Sequence, residues 1–379
     1  MDRLRRIGPV PIVAAAAVAV LAIGALAWVL FGHRANPHPL PSATASASES
    51  SSPSPSPSPS VTPSPTEAGV ACPLNGLPVA DPARLGKVAI AVQIDNNPLA
   101  RPARNLSNAD MVVEAPVEGD TTRFSAIFLC NATAGLTGPI RSGRYYEIDL
   151  WQDLHVLPVG FGGSPPTLQR FSAAGMPYLN GINGGWPWFH RSGSYGVPHN
   201  LYGDLEALRA ALGRGGGIDR LAAKVSPVRP QFTFDVAAVL PAGRPIRAIE
   251  IRTTSSWRFG WSWSPSGAAW ARQDGGKAVV DEVTGRPGTA AHVVVQRVTE
   301  EIVYGDPDPG GSPRRLQHLV GHGDGTLYTD GRAIALHWSR PTAKDGTTWT
   351  YADSGAPVVL PPGVVWWEII PVGAGLTES

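Results

Sequence analysis

The sequence predicts a membrane-anchored chain with an α/β or α+β N-terminal domain followed by a mainly β C-terminal domain. Three observations predict it: an apolar run near the start, an alternation of strand-like and helical stretches after residue 87, and the loss of helical period after about residue 222. With 379 residues and 43% apolar side chains, the chain can hold two cores. Its 31 Lys and Arg against 30 Asp and Glu give no overall basic field. Nucleic acid is therefore not expected as a partner, and any anion recognition must be local.

Residues 1–8, MDRLRRIG, set three arginines before residues 9–31, PVPIVAAAAVAVLAIGALAWVLF, which are 23 residues without charge. That length suffices for a hydrocarbon layer of roughly 30 Å, and the arginines place the N-terminus in the cytoplasm. A cleaved signal peptide competes, because ALA at 25–27 resembles a cleavage site. The apolar run continues through Trp28 to Phe31, however, which favours an uncleaved single span. Both readings leave the folded part extracytoplasmic. Residues 32–69 are rich in Ser, Pro and Thr and predict a disordered spacer with a reach on the order of 100 Å, suited to a wall layer. Whether it is glycosylated stays open.

From 70 to 222, KVAIAVQID, DMVVEAPVE, RFSAIFLC and HVLPVGF read as strands, with helices near 142–154, near 165–174 and over DLEALRAAL. From 223 to 379, QFTFD, RAIEIRT, GAAWAR, AHVVVQRV, RAIALHW, TTWTYAD and VVWWEIIP read as short strands between Gly, Asp and Pro turns. Cys72 and Cys130, the two cysteines, are expected to be joined outside the cytoplasm. A lipid-modified Cys72 is the rival, set aside because it lies some forty residues past the apolar segment.

The motifs CPLNGLPV, AVQIDNNPLARP, ADMVVEAPVEGDTTRFSAIF, GPIRSGRYYEIDL, GGSP, GIN and PHNLY follow in the order of the YerB-like lipoprotein family, which the chain resembles over nearly all of residues 72–379. The resemblance implies a bacterial, envelope-exposed two-domain protein and assigns it no activity. The chain departs from that pattern in carrying a membrane span and no lipobox.

Chemistry concentrates in a few stretches. In GPIRSGR, Ser142 can cap a helix whose free N–H groups attract anions, with Arg141 and Arg144 as fork-shaped donors. The competing reading pairs these arginines with Glu114, Glu118 or Asp149 as structural ion pairs. In VGFGGSPPTLQRF, Gly163 ends a turn and Ser164 caps a helix opened by Pro165. Ser164 is a poor nucleophile candidate, since Pro166 stands where a nucleophile elbow needs glycine. Asp95, Asn96, Glu114, Glu118 and Arg123 form a polar set at strand ends. The acids among them suit acid/base work, holding a cation, or neutralisation of the arginines. His199 and Asn200 in VPHNLY give a candidate base, a strong signal only if His199 faces Asp95 or Arg141. His318 and His322 lie in a Gly-rich hairpin pattern, so neither metal nor cofactor is expected. Trp366 and Trp367 read as core, while Trp186 and Trp188 can stack on a sugar.

Two functions follow. One is binding of an anionic or glycan envelope component, such as a cell-wall polymer, through Asp95, Asn96, Glu114, Glu118, Arg123, Arg141, Ser142, Arg144, Gly163, Ser164, His199 and Asn200. The other is a hydrolase or transferase acting on wall glycan through the carboxylates and His199. The state of the carboxylates discriminates them: free in a cleft, or buried against arginines.

Overall fold

The computed structural model describes residues 69–183, 186–193, 195–254 and 256–379. The expected span at 9–31 and nearly all of the spacer lie outside them, and no helix among the described residues is long and apolar enough to cross a membrane.

A large sheet runs through the molecule. Its strands, in spatial order, are Arg244–Pro245, Arg332–Arg340, Gly321–Thr329, His292–Val298, Val365–Pro371, Met111–Val117, Thr121–Phe128, Ile90–Asp95, Leu157–Gly160 and Leu179–Asn180, with Thr348–Tyr351 paired to Arg332–Arg340. The composition change near 223 does not divide this sheet. Val365–Pro371, from the C-terminal half, lies parallel to Met111–Val117 with Glu368 opposite Glu114.

Both faces of the sheet are covered, so its central strands read as unbroken apolar runs rather than alternating ones. One face takes helices Glu147–Leu154 and Pro165–Ala173, which bury Leu150, Trp151, Leu154 and Phe171 against Val113, Ala115, Ile127 and Trp367. The other takes a six-stranded sheet whose Ile251, Phe259, Trp261 and Trp270 meet Val112, Phe124, Val293 and Trp366. Consecutive side chains of a strand point to opposite faces. This sends Trp366 and Trp367 into two different cores, as expected of core tryptophans.

The strands read from sequence are present at AVQID, MVVEAPV, HVVVQRV, RAIALHW and VWWEIIP. Hairpin Glu300–Pro307 and Pro313–Gln317 was not among the expected elements. Cys72 and Cys130 form the expected disulfide. It ties the lead-in to the end of Thr121–Phe128, where the Asp110 carboxylate accepts from the amides of Leu129, Cys130 and Asn131.

Candidate functional site

The stretch GPIRSGR is not a helix start. Helix Glu147–Leu154 begins later, with Tyr146 at its N-cap position, and Ser142 instead donates its hydroxyl to the Phe161 carbonyl at 2.9 Å. The backbone explains the difference. Residues 139–141 run extended between strand ends: the Asp95 amide donates to Pro139 O (2.8 Å), the Arg141 amide to Gln93 O (2.8 Å) and the Phe161 amide to Arg141 O (2.9 Å). Strand-like bonding to both neighbours satisfies the groups that a helix would use. Gly143 is required beyond this point, because a Cβ there would lie 2.6 Å from the Phe171 ring.

This extended segment carries Arg141 and Arg144 over the ends of two strands. Asp95 ends Ile90–Asp95 and is the register partner of Arg123 on the antiparallel strand Thr121–Phe128. His199 donates or accepts through Nδ1 at 2.8 Å from Asp95 Oδ2, the contact that makes it a strong candidate. Arg141 Nε lies 3.3 Å from the same oxygen, and Arg123 lies 3.9 Å from the other. Burial alone would raise the Asp95 pKa, but the His199 hydrogen bond and the charges of Arg123 and Arg141 hold it well below the usual range.

One step along, Glu118 receives a two-pronged contact from Arg144 and a 2.6 Å bond from Arg314. Burial pushes the Glu118 carboxyl up, while Arg144, Arg123 and Arg314 overcome it and bring it down to about 2. Arg314 Nε also lies 3.3 Å from Asp306, which accepts from Tyr145 at 2.6 Å and from Ser164. Ser164 is the cap of helix Pro165–Ala173, its oxygen accepting from the Thr167 amide at 3.3 Å, so it is a fixed structural hydroxyl. Arg123 and Arg144 both donate to the Ser142 carbonyl, at 3.0 and 2.9 Å, which joins the two ion clusters.

A cleft of about 580 Å³ opens over this cluster, walled by Glu118, Arg141, Ser142, Arg144, Gly163, Ser164, Pro198, Asp306, Asp308 and Arg314, with Asp95, Arg123 and His199 behind Arg141. Four arginines, 123, 141, 144 and 314, meet three buried carboxylates, 95, 118 and 306. At the rim a further acid, Asp308, turns onto the Ser312 amide of its own hairpin at 2.8 Å. Arg123, Arg144 and Arg314 are buried, but the Arg141 side chain keeps 23% of its surface exposed. Among the described residues, its terminal nitrogens make no hydrogen bond.

Three sequence candidates lie elsewhere. Glu114 and Asn96 point to the opposite face of the sheet, because Glu114 shares the side of Val112. There Glu114 is wholly buried on Arg272 (2.9 Å to Nε), Trp366 (3.1 Å) and Thr122 (2.5 Å). Asn96 bonds Thr122 at 2.6 Å and receives Arg101 at 3.0 Å. Asn200 accepts from Arg191 at 2.8 Å on the surface. Glu114 and Glu118 thus do not make the free carboxylate pair that a glycosidase uses, because they occupy separate arginine clusters. Trp186 and Trp188 stack on each other at 5.4 Å, partly buried against the second core. Asp306 and Arg314 escaped sequence reading. The signal was the pair EEIVYGD and PRRLQ flanking a DPGGS turn, a hairpin pattern.

Fold and site define a β-rich protein in which two sequence segments share one sheet and close a cleft of arginines and carboxylates. The chain belongs to the DUF3048 family, matching "Protein of unknown function (DUF3048) N-terminal domain" over residues 74–217 and its C-terminal domain over 249–367. It is 27% identical over 289 residues to "Putative lipoprotein YerB" of Bacillus subtilis (strain 168), covering 74% of this chain and 81% of that one. The crystal structure of YerB protein from Bacillus subtilis matches with TM-score 0.67 at 24% identity, over 81% of this chain and 99% of that one, which shows the shared fold.

Proposed function

We propose that this is an extracytoplasmic, envelope-associated protein that binds an anionic component of the envelope, free or glycan-borne, in the Asp95–Arg141–Glu118 cleft. Its similarity to a protein described as a lipoprotein supports the location, and the apolar segment at 9–31 provides an anchor in place of a lipid. One observation carries the binding role: Arg141 is the partly exposed cation of a cluster whose other arginines are buried and committed to Glu118, Asp306 and the Ser142 carbonyl. Asp95 lies 3.3 Å from its Nε, an ion pair that holds the guanidinium at the cleft.

The test is calorimetric titration of the full chain in detergent with inorganic phosphate and with anionic and neutral wall-glycan fragments. A charge-assisted bond contributes about 1.5–3 kcal/mol, so Arg141→Ala is expected to weaken anion binding by roughly tenfold or more. Added salt weakens it too, since screening at about 0.15 M acts over roughly 8 Å. Equal affinity of the folded variant and the wild type overturns the reading.

A further inference from the structure

The cleft holds one arrangement that anion binding alone does not use. His199 is clamped at both ends of its recognition: its amide donates to Gly196 O at 2.8 Å and its ring Nδ1 meets Asp95 Oδ2 at 2.8 Å. Asp95 is 2% exposed and ionised among Arg123 and Arg141, hence an acceptor only. Nδ1 of the neutral ring must therefore carry the proton, which leaves the Nε2 lone pair available. Nε2 has no hydrogen-bond partner among the described residues, and the ring keeps 15% of its side-chain surface exposed. Arg141 Nε and His199 Nδ1 contact the same carboxylate oxygen, which sets the arginine and the ring side by side on Asp95.

From this juxtaposition we infer that His199 is a general base, positioned by Asp95, for hydrolysis of a phosphodiester held by Arg141. The inference rests on the anion-binding reading of the cleft. A phosphodiester suits the site because its two free oxygens match the arginine fork, whose terminal nitrogens make no hydrogen bond among the described residues. A glycoside does not, since it needs a free acid and each cleft carboxylate is already engaged. In the reaction a water oxygen forms a bond to phosphorus as its proton passes to Nε2. The bond from phosphorus to the leaving oxygen breaks, and Nε2 returns the proton to that oxygen. The products are a phosphomonoester and an alcohol; water is the co-reactant and nothing is oxidised. Asp95, Arg123 and Arg141 are the charged groups around the ring.

The experiment uses the full chain in detergent, with bis(p-nitrophenyl) phosphate as substrate and dimethyl phosphate as an inert ligand. His199→Asn keeps a side-chain N–H for Asp95 and removes Nε2. It is expected to lose roughly a hundredfold or more of turnover while binding dimethyl phosphate within about threefold of wild type. Wild-type kcat/KM should rise with pH through one ionisation that His199→Asn abolishes and Asp95→Asn displaces, which a merely structural role would not do. Glycerophosphoglycerol in solution and phosphatidylglycerol vesicles then separate a polymer linkage from a lipid headgroup as the source. Near-ultraviolet circular dichroism reports folding, and His199→Gln serves if the asparagine variant does not fold. Dimethyl phosphate binding with no wild-type turnover, or turnover untouched in the variant, overturns the inference and leaves the binding reading standing. Absence of dimethyl phosphate binding removes both.

Discussion

Two arginine–carboxylate clusters occupy opposite faces of the same sheet, and they differ in one physical respect. On the face covered by the second sheet, Glu114, Arg272 and Glu368 are entirely enclosed. Arg272 satisfies itself on both Glu114 oxygens and on the Gln273 carbonyl, with its guanidinium 4.4 Å from the centre of the Phe259 ring. On the other face, Asp95, Glu118 and their arginines sit at strand ends beneath a cleft, and one arginine and one imidazole retain unused polar atoms. Identical residue types thus make a closed structural knot in the middle of a strand and an open site at its end. The lesson is that a buried ion pair is informative about function only when a leftover donor or acceptor reaches a cleft, as Arg141 does and the enclosed Glu368 does not.

The largest effect should come from breaking the closed knot. Arg272→Ala leaves Glu114 as an uncompensated buried charge, a change that costs about 3–5 kcal/mol, so urea denaturation should show a loss of that size or no folded protein. Arg141→Ala, at the open cluster, is expected to cost less, because buried Asp95 keeps Arg123 and His199 as partners. Equal losses for the two would erase the distinction between them.

Next in size is the pH dependence of the open cluster. Glu118 titrates at about 2 in the folded protein against an ordinary 4.5, so the unfolded chain binds the extra proton between these values. Stability therefore rises with pH through that window, by about 3 kcal/mol for a shift of this size, and is fully present above about pH 4.5. Glu118→Gln removes this slope. Glu147 acts in the opposite direction. Burial, opposed by the Arg144 amide, raises its carboxyl to about 8, so the folded state binds more protons between 4.5 and 8 and stability falls as pH rises. Denaturation curves at pH 3, 5 and 8 for the wild type, Glu118→Gln and Glu147→Gln separate the two slopes.

Much of this was legible in the sequence. The strand runs and the helix after Ser164-Pro165 followed from local residue patterns, and the disulfide from the expected compartment; the meeting of His199 with Asp95 was only a condition to be checked. What escaped depends on partners distant in sequence. Gly-Pro followed by Ser reads as a helix start by local rules, yet strand ends on either side claim the backbone at 139–141. Glu114 and Glu118 look equivalent four residues apart, but Glu114 is fixed on the Arg272 face by strand alternation while Glu118 lies past the strand end. Arg314 and Asp306 come to the cleft from about 190 residues further along, on a hairpin whose glycine-rich turn hid its strands.

The smallest expected effect is the most selective test of the closed knot. Glu368 stands opposite Glu114 on the neighbouring parallel strand, and burial, then the Glu114 charge, pushes its carboxyl well above the usual range. That shift favours the neutral acid form of Glu368, while Glu114 holds Arg272 through both its oxygens. Glu368 Oε1 accepts from Trp261 Nε1 at 2.9 Å, and its Oε2 has no partner among the described residues. Glutamine reproduces that shape, that acceptor and that lack of charge. Glu368→Gln should accordingly alter stability at pH 7 by less than about 1 kcal/mol, whereas Glu114→Gln takes the charge from a bidentate pair and should cost about 3 kcal/mol or more. Urea denaturation of both variants reads the difference. If Glu368→Gln proves as damaging as Arg272→Ala, both glutamates are ionised around one arginine, and the knot carries a surplus negative charge that its burial would have to sustain.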